Sequence, residues 1–146
     1  MLAYSLAIAA IAGVSACGGD STTDPATPPP ASTPVGSYSI ATVNGKSLPV
    51  ATAQSGDYKW EITAGSMALT ADGKYSVVTT ERQTIPNNVE TFVDSTGGSW
   101  VQSGTTITLT NGDDGSIWTG TWAGLQLTFA TTDGTVTTTF VYSKKG

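Results

Sequence analysis

Side chains alternate with a period of two along most of the chain after Gly36, and this feature constrains the fold more than any other. Such alternation turns one set of side chains to a buried face and the other to a wet face, as in a β-strand. No stretch of this region carries a sustained helical period. The positions that share a face within each run are Tyr38, Ile40 and Thr42; Tyr58, Trp60 and Ile62; Met67 and Leu69; Tyr75 and Val77; Ile107 and Leu109; Leu125, Leu127 and Phe129; and Val136, Phe140 and Tyr142.

Short segments rich in glycine, aspartate and asparagine separate these runs. Residues of these types tolerate the positive φ angles of tight hairpin turns. Strands joined in sequence by hairpins form a meander, and a meander leaves two exposed edges unless its sheet closes. The sequence therefore predicts an all-β fold, an up-and-down antiparallel meander that closes into a small barrel of about eight or nine strands. The predicted turns are residues 71–73, 96–98, 111–115 and 132–134.

Charge and residue type exclude several classes of function. Six Lys and Arg stand against 11 Asp and Glu, which gives a net charge of −5. We expect no nucleic-acid partner, because phosphate neutralisation needs clustered positive charge. Histidine is absent, so Ser-His-Asp and Cys-His catalysis and zinc sites of Cys and His are excluded.

The acidic residues suggest little further chemistry. Glu61, Glu81, Glu90 and Asp94 could supply paired carboxylates, but no spacing places two of them across a cleft, which makes a hydrolase the least favoured function. Residues 111–116, "NGDDGS", offer oxygen ligands for calcium but lack the spacing and final Glu of an EF-hand loop, and a hairpin turn is favoured. We expect no cofactor and no metal.

The only cysteine, Cys17, follows an apolar run. Residues 2–16 carry no charge and end in small side chains, as a secretory signal does, and the run is short for a spanning helix. Val14, Ser15, Ala16 and Cys17 resemble the bacterial lipobox. The resemblance implies that residues 1–16 are a lipoprotein signal peptide, that Cys17 is lipidated and that it anchors the chain to a membrane. Residues 1–3 lack the usual basic residue, so the alternatives are an uncleaved apolar anchor or a true translation start upstream of Met1. Gly18 resembles the sorting pattern of outer-membrane lipoproteins.

Residues 17–35 contain five prolines and many Thr, Ser and Gly. Such a segment lacks the apolar side chains that would offset the entropy of ordering. It is predicted to be a disordered tether that begins at the lipidated cysteine and holds the folded part away from the lipid head groups.

Residues 36–49, "GSYSIATVNGKSLP", resemble the opening of small bacterial lipocalin-like lipoprotein domains. The later segments "LTADGKYSV", "ITLT" and "FVYSKK" fit the same family, so the resemblance covers residues 36–146 as one barrel domain. It implies that Tyr38 packs at the closed end of the barrel beneath a basic side chain, Lys144 or Lys145. The alternative is that Tyr38 is ordinary core and both lysines are solvated.

The barrel interior is expected to be nearly full. An eight-stranded barrel is just filled by side chains or holds one small ligand. With many rings turned inward, any cavity is expected to be smaller than the usual pocket range of about 300–1,000 Å³. The bulky candidates for the interior are Tyr38, Trp60, Tyr75, Phe129, Phe140 and Tyr142.

Three further side chains are candidates for contact with a ligand or partner. Trp118 and Trp122 share a strand face with Gly120 between them. They pack either inward as core, with Gly120 relieving crowding, or outward as a flat platform; the smaller residues on the other face favour core. Arg82, the only arginine, lies in the polar segment 80–92, which is predicted to be a loop that meets a partner.

These observations together predict a lipid-anchored lipoprotein of the bacterial cell envelope, at the outer membrane and facing the periplasm or cell surface. It is expected to be a binding protein and not an enzyme. Its ligand is a small apolar molecule or an envelope partner. The alternative is a protein-interaction or inhibitor module that acts through its surface, with a solid core and no ligand cavity.

Overall fold

A computed structural model describes residues 33–146 of the chain. The signal peptide predicted for residues 1–16, the lipidation site Cys17 and residues 17–32 of the tether lie outside the described residues. None of the described residues forms a helix long and apolar enough to cross a membrane. The strands are β1 (Gly36–Val43), β2 (Val50–Ser55), β3 (Tyr58–Leu69), β4 (Lys74–Ile85), β5 (Asn88–Ser103), β6 (Thr106–Asn111), β7 (Ile117–Ala123), β8 (Gln126–Asp133) and β9 (Val136–Lys144).

The strands form a closed antiparallel meander. From β3 to β9 each strand pairs with the next along the chain, β9 pairs with β1, and β1 pairs with β3. Eight strands thus close the barrel, while β2 continues the sheet outside it by pairing with β3 alone. The predicted all-β meander and its closure are confirmed. Glycine explains the tight connections, because it adopts positive φ angles without a steric cost. The two-residue turns that begin with a glycine, at a φ between 58° and 63°, are those at Gly56, Gly104, Gly124 and Gly134.

Bulges in β1 and β3 shift the register, and the one in β1 corrects a predicted face. In β3 the register shifts between Ile62 and Ala64, so the buried positions change from Ile62 to Met67 and Leu69 without breaking the strand. In β1 a shift between Ile40 and Thr42 buries Val43 instead of the predicted Thr42. A bulge adds one residue to one strand and so reverses the alternation beyond it.

Residues 96–98 are not a turn. Gly97 and Gly98 lie inside β5, where Gly98 is paired with Tyr75 on one side and Asn111 on the other. A Cβ on Gly98 would stand 2.0 Å from the Thr110 carbonyl oxygen, so glycine serves here for close approach of two backbones and not for a turn. Leu125 is also misassigned, since it belongs to the β7–β8 turn and is 70% exposed.

The two ends of the barrel differ. At one end lie the β3–β4, β5–β6 and β7–β8 turns with the start of β1 and the end of β9; we call this the closed end. Tyr38, Leu69, Ile107 and Leu127 lie next to it and are at most 1% exposed. The opposite end, which we call the open end, carries the β4–β5, β6–β7 and β8–β9 turns. The well-packed core therefore occupies the closed end, and a site can form only toward the other.

Candidate functional site

A cavity of about 410 Å³ lies inside the barrel. Its wall is built from six strands, β3, β4, β5, β7, β8 and β9. Most of its surface is apolar, as is typical of a small-molecule site. The lining side chains are Ile62, Met67, Val77, Thr79, Glu81, Asp94, Ser95, Thr96, Trp118, Phe129, Thr131, Phe140 and Tyr142.

The cavity opens where two strands of the wall end early. β6 pairs with β5 only at residues 98–103, and β7 pairs with β8 only at residues 120–123. The β4–β5 and β8–β9 hairpins continue beyond these pairings toward the open end. The short β6–β7 hairpin therefore leaves a gap between β5 and β8, and Asp94 and Thr131 line the cavity from its two sides.

Aromatic side chains form the deeper part of the cavity. The rings of Phe129 and Tyr142 meet edge to face with centroids 6.4 Å apart, and Phe140 stacks on Tyr142 at 6.5 Å. Burial raises the pKa of Tyr142 to about 12, because the apolar surroundings disfavour the phenolate. Tyr142 thus stays neutral at physiological pH and presents this region of the cavity as an uncharged aromatic surface.

Two carboxylates, Glu81 on β4 and Asp94 on β5, bring negative charge to the cavity wall. Glu81 is held in place because the Trp60 indole Nε1–H donates to its Oε2 at 2.6 Å. Trp60 in turn stacks on Phe92, with ring centroids 5.2 Å apart and planes 17° apart. Ionised carboxylates only accept hydrogen bonds, so this part of the wall suits a ligand group that donates them.

The Thr96 hydroxyl is a further polar group of the cavity. Its Oγ1 is buried and has no hydrogen-bond partner among the described residues. A buried hydroxyl without a partner costs free energy. A ligand or a water molecule in the cavity could supply the missing partner.

The expectation of a nearly full interior is wrong. The cavity has a volume of about 410 Å³, which lies within the usual pocket range of about 300–1,000 Å³. The reason is that three of the inward positions carry short threonines, Thr79, Thr96 and Thr131. Trp60 moreover stacks on Phe92 and does not line the cavity.

Trp118 and Trp122 both belong to the inner face of β7. Trp118 lines the cavity, and Trp122 is 8% exposed within the core. A Cβ on Gly120 between them would stand 2.5 Å from the Phe129 ring, so Gly120 makes room for that ring. The structure offers no outward tryptophan platform; Ile117 is the exposed apolar residue of this strand, at 66%. Of the two indoles, Trp118 alone can meet a ligand in the cavity.

Tyr38 and Lys144 meet at the closed end. They are directly paired between β1 and β9, and Lys144 Nζ lies 5.9 Å from the centroid of the Tyr38 ring. The Tyr38 hydroxyl donates to the Pro34 carbonyl oxygen at 2.5 Å, and Lys144 Nζ donates to the Thr33 carbonyl oxygen at 3.0 Å. Contacts between a cation and a ring contribute about 0.5–2 kcal/mol. These contacts tie the chain just before β1 to the barrel and take no part in the cavity.

Arg82 lies in a strand and not in a loop. The segment predicted as a loop belongs to β4 and β5, joined by a turn at Pro86 and Asn87, where Asn87 has a φ of 65°. Proline followed by a residue of positive φ is typical of a type II turn. Arg82 Nε and Nη2 donate to Glu61 Oε2 at 3.1 and 2.6 Å, so the guanidinium is engaged within the wall of the barrel.

Among the side chains that the structure describes, Glu61 is the one charged residue that is buried, at 3% exposed. Besides Arg82 it pairs with Lys59, whose Nζ is 2.5 Å from Glu61 Oε1. Hydrogen bonds from Lys59 and from Arg82 lower the pKa of Glu61. This ion-pair cluster is structural, because Glu61 and its partners lie outside the cavity lining.

The sequence did not reveal that Glu81 and Asp94 would line one cavity. They belong to different strands, and only the register of β4 with β5, which pairs Thr79 with Asp94 and Glu81 with Phe92, sets them on the same face.

Within residues 33–146 no three Asp, Glu, Cys or His side chains are grouped in a way that could hold a metal ion. No protein-family model, curated protein or solved structure matches this chain.

Proposed function

We propose that this chain is a lipid-anchored binding protein of the bacterial cell envelope, whose barrel takes up one small, mainly apolar ligand from its open end. The cavity of about 410 Å³ carries the proposal. A pocket of this size with mostly apolar walls and a few polar groups is the common form of a small-molecule site.

The lining defines the chemical class of ligand. Trp118, Phe129 and Phe140 offer aromatic surface for an apolar or aromatic body. The carboxylates of Glu81 and Asp94 favour a ligand with a hydroxyl or amino group at one end. Binding without chemical conversion fits these groups, and the proposal includes no catalytic step or cofactor.

The anchor is proposed on the sequence. The resemblance of residues 14–17 to a lipobox supports lipid attachment at Cys17, and the Pro-rich segment after it supports a tether between lipid and barrel. A membrane is thus the first partner of the chain, and Gly18 favours the outer membrane. The acidic net charge of −5 supports the absence of a nucleic-acid partner.

The alternative function, a module with a solid core that acts only through its surface, does not fit the cavity. A filled interior would leave no partly open space among Ile62, Val77 and Phe129. An envelope protein as partner is compatible with the fold.

Filling the cavity should weaken ligand binding strongly. In Thr131→Trp an indole replaces a short side chain that lines the cavity, so we expect the affinity for the neutral apolar fluorophore phenylnaphthylamine to fall by about tenfold or more, equivalent to about 1.4 kcal/mol. The measurement is a fluorescence titration of the purified full chain, which should saturate at one fluorophore per chain.

The neighbouring position supplies the control. Thr132 is exposed on the same strand, and Thr132→Trp should bind the fluorophore as the unsubstituted chain does. Equal loss of affinity in both variants, or full affinity in Thr131→Trp, would show that the fluorophore binds outside the cavity. An unsubstituted chain that binds no apolar probe would reject the proposed function.

A further inference from the structure

The N-terminal half of β5 has a strand neighbour on one side only. β4 pairs with β5 from Asn88 to Ser99, whereas β6 begins to pair at Gly98. Among the described residues, no strand pairs with the other side of residues 88–96. The Gly112 backbone N–H, on that side of β5, donates to the Gly97 carbonyl oxygen at 2.9 Å. The backbone polar groups of Gly97 therefore point to that side. Since direction alternates along a strand, Val89, Thr91, Val93 and Ser95 turn their backbone N–H and C=O groups to the open side.

This edge carries few of the features that usually prevent strand addition. Proteins protect edges with lysine, proline, bulges, short length or inward-pointing charges, and of these the edge has only the inner-face carboxylates of Glu90 and Asp94. Residues 88–96 contain no Lys and no Pro, and their pairing with β4 runs without a register shift. Val89 and Val93 on the outer face are 61% and 65% exposed. By contrast β2, the strand outside the closed barrel, has six residues and a bulge between Ala51 and Ala53.

The inner face of the same edge carries negative charge. Glu90, Phe92 and Asp94 alternate with the edge-facing residues, so two carboxylates flank one ring. In a strand added to this edge, every second side chain would lie on the inner face, either directly opposite Glu90 or Asp94 at about 4.5–5.5 Å or diagonal to one of them at about 7–8 Å. Opposite charges at such positions stabilise pairing, and like charges destabilise it.

The same charges disfavour two other occupants. A second copy of this chain, paired antiparallel along the whole of residues 88–96, would place Glu90 opposite Asp94 twice. The part of the chain outside the described residues, 1–32, contains no Lys or Arg. Neither occupant supplies the positive charge that complements this edge.

We propose that the open edge of β5 at residues 88–96 binds an extended peptide segment with Lys or Arg at alternate positions, which adds to the sheet as a strand. Backbone hydrogen bonds to the four edge-facing residues supply affinity, and the acidic inner face supplies specificity. This inference goes beyond the proposed ligand binding. Because Asp94, Ser95 and Thr96 also line the cavity, the added strand would lie across its open side.

A peptide titration of the full chain tests the proposal. The probe is a nine-residue peptide with lysine at every second position and threonine or valine between them, matched to the edge at residues 88–96. Addition should slow hydrogen exchange at the amides of Val89, Thr91, Val93 and Ser95. The same peptide N-methylated at alternate residues cannot form the ladder and should bind about tenfold more weakly or worse; this comparison leaves the protein unchanged.

Variants of the edge separate backbone from charge. Val93→Pro removes one open-side N–H and should weaken binding about tenfold, whereas Val93→Ala keeps that N–H and should bind normally. Glu90→Gln combined with Asp94→Asn should remove most of the salt dependence of binding.

Four outcomes would overturn the proposal. The first is equal binding of the N-methylated peptide. The second is equal binding of a peptide with glutamate in place of every lysine. The third is a concentration-dependent dimer of the chain that Val93→Pro abolishes, because the occupant would then be a second copy. The fourth is an unsubstituted chain that does not bind the lysine peptide. If that chain still binds phenylnaphthylamine, this inference alone is rejected and the proposed function stands.

Discussion

Leu127→Ala is expected to lower the free energy of unfolding by about 2–5 kcal/mol, the usual cost of truncating a buried leucine. Leu127 is fully buried, and it is paired with Trp122 on β7 and Tyr142 on β9. Its removal leaves a void in the packed core beside the closed end, where neighbouring strands on both sides limit relaxation. Urea denaturation followed by tryptophan fluorescence measures the loss.

Leu125 is the matched control because it is a leucine only two residues away that lies in a turn and is 70% exposed. Leu125→Ala should change the free energy of unfolding by no more than about 0.5 kcal/mol. Similar effects of the two substitutions would contradict the assigned face of β8 and the position of the β7–β8 turn.

Glu61→Gln is expected to lower the free energy of unfolding at pH 7 by about 1.5–3 kcal/mol, the range for hydrogen bonds to charged groups. The lower end is favoured because Lys59 and Arg82 are 39% and 42% exposed, so solvent screens their attraction. Urea denaturation measures this loss as well. Glu90→Gln serves as the control, since Glu90 is exposed and accepts one hydrogen bond, from Asn88 two residues away.

The contribution of Glu61 depends on pH with a definite sign. Hydrogen bonds from Lys59 and Arg82 lower its pKa in the folded state below the value of about 4.3 in an unfolded chain. Its stabilisation is therefore fully present above about pH 4.3 and is lost as the pH falls through the lowered folded-state pKa. The difference between the unsubstituted chain and Glu61→Gln should be constant from about pH 6 to 8 and shrink below about pH 4.3. A difference that grows on acidification would contradict the ion-pair cluster.

Most strands were predictable because their signals are local, whereas β2 and β5 were not predicted. Alternation marks a strand as half-buried, and glycine at positive φ marks turns such as those at Gly73 and Gly134. The closure of the sheet was also predictable, since a meander of this length gains by removing its edges. What these signals cannot supply is the register between strands, because that depends on both partners.

The bulges and the long β4–β5 hairpin are the clearest failures of local reasoning. A bulge after Ile40 buries Val43 in place of the expected Thr42, and nothing in that segment alone indicates it. Polar residues near Arg82 suggested a loop, yet Arg82 sits opposite Glu61 on the neighbouring strand. A polar pair can occupy a strand when each side chain satisfies the other, and that partner is distant in sequence.

The cavity could not be foreseen from the sequence because its size depends on which short side chains meet in space. Thr79, Thr96 and Thr131 come from three strands and converge on one interior region. The sequence correctly predicts that the barrel carries bulky aromatic side chains. A ring fills the interior, however, only if the strand register turns it toward the barrel axis. Trp60 instead stacks on Phe92 and holds Glu81 by a hydrogen bond.

Entry of an apolar ligand into the cavity should be visible in the indole N–H resonances of the four tryptophans. Trp118 lines the cavity, while Trp100 lies outside its lining and donates from Nε1 to the Thr70 carbonyl oxygen at 3.0 Å. On titration with phenylnaphthylamine, we expect the Trp118 indole resonance to shift and to saturate at one equivalent, while the Trp100 resonance stays in place. A Trp118 resonance that does not move, or equal shifts at Trp118 and Trp100, would contradict entry of the ligand into the cavity.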